Sequence, residues 1–326
     1  MKKIIIDDAV PYIRGVFEPW FEVQYAPGAA IDAAMVRDAA ALVIRTRTKC
    51  DAALLEGSAV EVITTATIGF DHIDLDWCAA HGIKAFNAPG CNADAVMEYV
   101  FAALKVFEKR SLESGRGPLQ GATLGVIGVG QVGHRVADMG RKRGFRVLEN
   151  DPPLQAAGTT RELVGLDTLL RQSDIVTIHI PLWAQNRNFA NADFFSKMKP
   201  GAIFINASRG GIVDEDALLA HRPQLSGLAI DVWKGEPDIN PALLAAADIA
   251  TPHIAGYSIV GKINGTVASV RRVGEHFGIP ELTNFKIEHS YKPCDIDAYD
   301  IMADDAALRA DPAAFESLRT HYKLRG

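Results

Sequence analysis

Short, nearly uninterrupted apolar runs alternate with amphipathic stretches along most of this chain. In the first part the runs are Lys3–Ile6, Val23–Tyr25, Ala41–Ile44, Val60–Thr64 and Ala85–Asn87. Strands that are apolar at successive positions are expected to be parallel and buried on both faces. Polar loops follow two of them, Arg45-Thr46-Arg47-Thr48-Lys49 and Ala66-Thr67-Ile68-Gly69. Such loops lie at carboxyl ends, where open parallel sheets bind ligands. Pro89-Gly90-Cys91-Asn92 breaks the pattern, and Asn92 is placed to cap a long helix carrying Val96, Val100, Ala103 and Phe107 on one stripe. Gly115-Arg116-Gly117-Pro118 ends that helix. A second series of strands is predicted at Leu124–Ile127, Arg146–Glu149, Ile175–His179, Ala202–Ile205, Leu228–Ile230 and Ile249–Ala250. A helix over about Ile259 to Phe277 is expected to return to the first domain.

The pattern therefore predicts an α/β protein with two doubly wound parallel-sheet domains. The boundaries read as 1–92 plus 258–280 for a substrate domain, 93–257 for a nucleotide domain, and 281–326 for a tail. In the tail, Asp311-Pro312 supplies an N-cap and first-turn proline, followed by an apolar stripe of Phe315, Leu318 and Tyr322. So short a segment lacks the volume for its own core, so it is expected to pack on a subunit partner in a homodimer.

Length and composition agree with this picture. A chain of 326 residues favours two domains, and 48% hydrophobic with 23% charged residues is ordinary for a globular protein. The net charge of -6 argues against a general nucleic-acid binder. Cys50, Cys78, Cys91 and Cys294 are widely spaced and read as reduced thiols of a cytoplasmic protein. The run Lys3–Ile6 is cut short by Asp7 and Asp8, so it reads as a strand and not a leader, and no membrane span is expected.

Candidate chemistry lies at strand ends. Gly128-Val129-Gly130-Gln131-Val132-Gly133 follows the strand Leu124–Ile127 and opens a helix over Gln131–Lys142. The first glycine allows the tight turn and the second lets the backbone approach a pyrophosphate. The third allows close helix-strand packing, and the helix N-terminus favours the phosphate charge. Asp151, at the end of the next strand, would accept hydrogen bonds from ribose hydroxyls and repel an additional phosphate, which selects NAD over NADP. Three later loops deliver Arg209, Glu236 and His253. A guanidinium holds a carboxylate through two parallel hydrogen bonds, and an imidazole oriented by a carboxylate takes a proton near neutrality. Together they describe an anion site with an acid/base beside a dinucleotide. His72 and His179 fit structural roles better, Cys91 has no adjacent base, and no metal ligand set is evident.

With these residues assembled, the chain resembles the NAD-dependent D-2-hydroxyacid dehydrogenases. The likeness rests on Gly128 to Gly133, Lys199-Pro200-Gly201-Ala202, Asn206 to Gly210, Asp231 to Pro237 and Pro252 to Gly256. It implies a flavodoxin-like substrate domain and a Rossmann NAD domain with a short dimerisation-type tail. It also implies Arg209 as carboxylate binder, Glu236 as partner of the histidine and His253 as proton donor/acceptor. Gly128, Gly130, Gln131, Val132, Gly133, Asp151, Ala207, Ser208, Asp231 and Gly256 would face the cofactor. The stretches Ala88 to Ala93, Asp231 to Asp238, His253 to Tyr257 and Asp304 to Arg309 resemble a branch acting on a small phosphorylated 2-hydroxy acid. There Thr46, Thr67 and Tyr257 would contact substrate, with Arg45 and Lys49 suited to its phosphate. Two departures stand out: Ile180 replaces a frequent threonine near the cofactor, and the tail ends soon after its helix. A 3-phosphoglycerate or D-lactate type of dehydrogenase, or an NADH-sensing binding protein, is the alternative.

Overall fold

The structure, a computed structural model, describes residues 1–291 and 296–326. Cys294, one of the four expected thiols, lies outside the described residues. The chain forms two compact units, one of Met1–Asn92, Ser258–Pro293 and Gly326, the other of Ala93–Tyr257 and Cys294–Arg325. The segment expected as a separate tail, 281–326, is thus divided between them.

In the first unit, β1 (Lys2–Asp7), β2 (Phe21–Ala26), β3 (Ala39–Ile44), β4 (Val62–Thr65) and β5 (Lys84–Phe86) form one sheet in the order β2-β1-β3-β4-β5. Every pairing is parallel. All six residues of β3 are buried, as continuous apolar composition requires of a central strand covered on both sides. The chain changes direction across the sheet between β1 and β3, which makes their carboxyl ends the switch point. The helix Ile259–Phe277 buries Val270 and Val273 against Ile4, Ile6, Val43 and Val62. Ser258 caps its start by accepting from the Gly261 N–H at 3.0 Å. Gly265 of this helix is required by proximity, because a Cβ there would lie 2.4 Å from the Ala66 carbonyl oxygen. The helix is thereby seated against the loop that carries Thr67.

In the second unit, β6 (Thr123–Ile127), β7 (Arg146–Asn150), β8 (Ile175–Ile178), β9 (Ile203–Asn206), β10 (Gly227–Ile230) and β11 (Ile249–Ala250) are ordered β11-β10-β9-β8-β6-β7. A parallel bridge from Glu149 to Leu163 extends the β7 side. One core lies on each face of the sheet. Ile127, Ile178, Phe204 and Ile230 fill one, while Leu124, Val126, Ile205 and Ala229 meet the helices Ala93–Glu113 and Gly133–Lys142 in the other. Val96, Val100, Ala103 and Phe107 of the long helix are all buried. Asn92 does not cap it through its side chain: its buried Oδ1 has no hydrogen-bond partner.

The tail packs on the second unit. Its apolar residues enter both cores of its own unit, Leu308 and Phe315 on one face, Ile296 and Ile301 on the other. The helix Ile301–Ala310 covers the edge strand β11, and Asp305 accepts from the Ala250 N–H at 2.7 Å. An edge amide that would otherwise invite another strand is thereby satisfied. Asp311 precedes a 3₁₀ turn, Pro312–Ala314, but its side chain makes no cap hydrogen bond. Of the expected apolar stripe, Phe315 is buried in the first of these cores and Leu318 packs partly against it. No described helix is long and apolar enough to cross a membrane.

Candidate active site

All six strands of the second unit are parallel, so the loops after β6, β8, β9, β10 and β11 leave from one edge of the sheet. Gly128 follows β6 with φ +82°, and a Cβ there would lie 2.7 Å from both the His179 carbonyl oxygen and the Ile180 Cγ2. A Cβ on Gly133 would lie 1.8 Å from the Gly128 carbonyl oxygen, which fixes glycine at the helix start. A Cβ on Gly130 would meet nothing within 4 Å. The first and third glycines are thus demanded by the protein's own packing, whereas the second borders open space, as a cradle for a pyrophosphate requires. Gln131 and Val132 complete the turn into the helix. Asp151 lies just past β7, accepting from the Val129 N–H at 2.8 Å and the Leu154 N–H at 2.9 Å. Its carboxylate therefore ties the glycine loop to the next helix. Ile180, the departure from the family pattern, lies against Gly128 as an apolar wall.

The loop after β9 is built on Asn206. Its Oδ1 accepts from the Ser208 N–H at 3.1 Å and hydroxyl at 2.8 Å, and its Nδ2 donates to the Arg209 carbonyl at 3.1 Å. Arg209 Nη1 donates to the Ser208 carbonyl at 2.8 Å, so the guanidinium is held close to its own turn. Gly210 follows because the Trp233–Lys234 backbone passes directly beneath it; a Cβ would lie 2.0 Å from the Trp233 carbonyl carbon. The Arg209 loop and the Glu236 loop are packed backbone to backbone.

Glu236 accepts from the Trp233 N–H at 2.9 Å through Oε1, and its Oε2 lies 2.8 Å from His253 Nδ1. Burial alone would raise its pKa, but the His253 and Trp233 hydrogen bonds outweigh it and hold the carboxyl below its ordinary value. Glu215 braces the same loop, accepting from the Lys234 N–H at 2.8 Å and Asn240 Nδ2 at 3.1 Å. His253 adopts a left-handed φ of +55°, unusual for a residue with a Cβ. Its N–H is held by the Asp231 carbonyl at 2.7 Å, and Nδ1 is committed to Glu236. Nε2 is the ring atom left to face a reactant.

Asp231, expected beside the nicotinamide, turns its carboxylate inward. It is 1% exposed and accepts from the Thr251 hydroxyl at 2.6 Å and the Ile254 and Ala255 N–H groups at 2.8 and 3.0 Å. Tyr99 extends this chain, its hydroxyl 2.8 Å from that of Thr251. Asp231 is first of all a clamp on the histidine loop, and burial raises its pKa. Sequence spacing gave no sign of Tyr99, which reads as one more apolar position of a long helix. Gly256 and Tyr257 close the loop, with the Tyr257 ring 5.9 Å from that of Tyr322.

In the first unit, Arg45 donates to the Ala9 carbonyl at 3.2 Å, linking the ends of β3 and β1 at the switch point, with exposed Thr46 beside it. Thr67 lies 2.8 Å from the Thr65 hydroxyl and donates to the Gly69 carbonyl at 3.0 Å. Lys49 is different: its side chain is 82% exposed and paired with Asp51 at 2.6 Å. Burial pushes the Cys91 thiol up to about 11, which leaves it a poor nucleophile, and burial pushes His179 down to about 3. Among the described residues no His, Cys, Asp and Glu group of three or more is arranged to hold a metal.

Residues 101–255 match the family described as D-isomer specific 2-hydroxyacid dehydrogenase, NAD binding domain. The chain is 42% identical to the erythronate-4-phosphate dehydrogenase of Bacteroides fragilis, covering 99% of this chain and 96% of that protein. It is 38% identical to the enzyme of the same name from Ectopseudomonas mendocina, covering 99% of this chain and 92% of the relative. Among solved structures, D-lactate dehydrogenase from Aquifex aeolicus, complexed with NAD and lactic acid, has a TM-score of 0.72 at 27% identity. That match covers 89% of this chain and 100% of the other. The likeness to curated relatives runs nearly end to end, and the chain belongs to the erythronate-4-phosphate dehydrogenases within the D-isomer specific 2-hydroxyacid dehydrogenase family.

Proposed function

We propose that this chain oxidises C2 of 4-phospho-D-erythronate to the 2-oxo acid with NAD, a step of pyridoxal 5'-phosphate biosynthesis. The observation that carries this reading is the 2.8 Å contact of His253 Nδ1 with Glu236 Oε2, at the sheet edge that also bears the glycine loop. Gly128, Gly130, Gln131, Val132 and Gly133 hold the pyrophosphate and Asp151 the ribose, with Ala207, Ser208, Asp231 and Gly256 toward the nicotinamide end. NAD, when bound, supplies the hydride acceptor. Arg209 binds the substrate carboxylate through its planar fork and fixes the reacting carbon. His253 Nε2 takes the hydroxyl proton, and Glu236, kept ionised by its partners, orients the ring and stabilises the imidazolium that forms. Thr46, Thr67 and Tyr257 contact the substrate, and Arg45 supports its phosphate.

Purified protein is assayed by NADH absorbance with 4-phosphoerythronate, 3-phosphoglycerate and D-lactate, each at several concentrations. The highest kcat/KM is expected with 4-phosphoerythronate. Preference for either competitor would reassign the substrate, and tight NADH binding without turnover on any of the three would favour a sensor.

A further inference from the structure

The last residue but one is an arginine buried to 7% exposure. Arg325 reaches the loop that follows the catalytic histidine from behind. Its Nη2 donates to the carbonyls of Ala255, Ile254 (3.3 Å) and Ala95 (3.4 Å), and its Nε donates to the Tyr257 carbonyl at 3.2 Å. The flat face of the guanidinium rests on Tyr299, 4.4 Å from the ring centroid. Tyr299 and Tyr322 are themselves tied together through Asp304, which accepts from their hydroxyls at 2.7 and 3.0 Å. A long charged side chain is rarely buried this far without work to do.

Asp231 makes the arrangement complementary. Its carboxylate collects the N–H groups of Ile254 and Ala255, while Arg325 collects the carbonyls of the same two residues. An anion on one side and a cation on the other therefore meet the N–H and the C=O of each of these two residues. Buried backbone groups need such partners, and the guanidinium's rigid fork suits convergent carbonyls better than a lysine would. The clamped residues stand between His253, whose backbone is in the left-handed region, and Tyr257. A strained backbone persists only where its surroundings over-determine it.

We propose that Arg325 is a positioning residue for the dehydrogenase reaction, setting the His253–Tyr257 loop by gripping its carbonyls opposite Asp231. The proposal rests on the reading that His253 is the acid/base. Misplacing a reacting group by about 1 Å costs on the order of a hundredfold in rate. Replacing Arg325 should therefore act on turnover more than on binding.

The test uses the full chain with Arg325→Ala and Arg325→Lys, assayed with NAD and 4-phosphoerythronate. Hydrogen exchange of the segment 251–257 is followed in parallel. Arg325→Ala is expected to lose roughly ten- to a hundredfold in kcat, with NADH affinity nearly unchanged and a rise in substrate KM smaller than the fall in kcat. Added guanidinium ion, but not urea, should restore much of that turnover, a response that a general loss of stability would not give. Arg325→Lys, which keeps the charge but not the fork, should fold with near-native melting and still lose most of the turnover. In both variants the amides of Ile254 and Ala255 should exchange faster while β6 and β9 stay protected. Wild-type turnover in a folded variant, or unchanged protection of those two amides, would overturn the proposal. If the wild-type chain itself fails to oxidise 4-phosphoerythronate, the substrate reading fails instead, and the exchange data still decide the clamp.

Discussion

At the scale of single residues, the glycine loop separates two demands that one motif combines. Gly133→Ala would drive a Cβ to 1.8 Å from the Gly128 carbonyl oxygen, so it should disrupt the loop and lower the melting temperature. Gly130→Ala meets nothing within 4 Å in the protein, so it should melt like the wild type yet bind NADH at least about tenfold more weakly. Calorimetry beside NADH fluorescence titration checks both; equal loss of binding and stability in the two variants would refute the distinction. For His253→Ala, turnover should fall by about 10² to 10⁴ with little change in NADH affinity. The Glu236 side chain adds a pH signature. Its carboxyl sits below its ordinary value of 4.5, so its stabilisation is fully present above that value and is lost as pH falls through the lower folded one. Glu236→Gln should flatten the acid limb of the melting curve below about pH 4.5, and an unchanged limb would count against the pairing. The glycines, Asp151, Arg209, Glu236 and His253 were legible because fixed spacing after strands announces them. Tyr99 and Arg325 were not, since a hydroxyl inside an apolar helix stripe, or a lone arginine distant in sequence from the loop it grips, leaves no local pattern.

At the scale of elements, apolar runs located the eleven strands among the described residues, with most ends displaced by one or two residues. A strand buried on both faces advertises itself; its last residue, held by the ladder and not by composition, does not. The loop after β3 shows what spacing alone cannot resolve. Arg45 and Lys49 looked equivalent as cations, but the fold ties Arg45 to the β1–β3 switch point and leaves Lys49 paired with Asp51 in solvent. Exposed ion pairs of this kind contribute little. Arg45→Ala should raise the KM for 4-phosphoerythronate about tenfold or more, whereas Lys49→Ala should leave it within about twofold. Steady-state kinetics of both variants decide it, and the reverse order would move the phosphate site toward Lys49.

At the scale of the whole molecule, the tail completes surfaces that a residue count does not identify. Counting residues correctly excludes an independent core for the last segment, but it leaves open which surface that segment completes. The structure spends Phe315 and Leu308, both fully buried, on one core of the nucleotide unit, and Ile296 and Ile301 on the other. Asp305 meanwhile occupies the amide of β11 that an exposed edge would offer to another chain. Phe315→Ala should therefore cost about 3 to 5 kcal/mol and Leu308→Ala about 2 to 5 kcal/mol of folding stability. A tail that completes its own unit predicts denaturation midpoints of wild type and both variants that do not change with protein concentration. A tail that docks on a second subunit predicts midpoints that rise with concentration, because association stabilises only the folded state. Urea melts across a wide concentration range separate the two, and a rising midpoint abolished by Phe315→Ala would return the segment to a subunit interface.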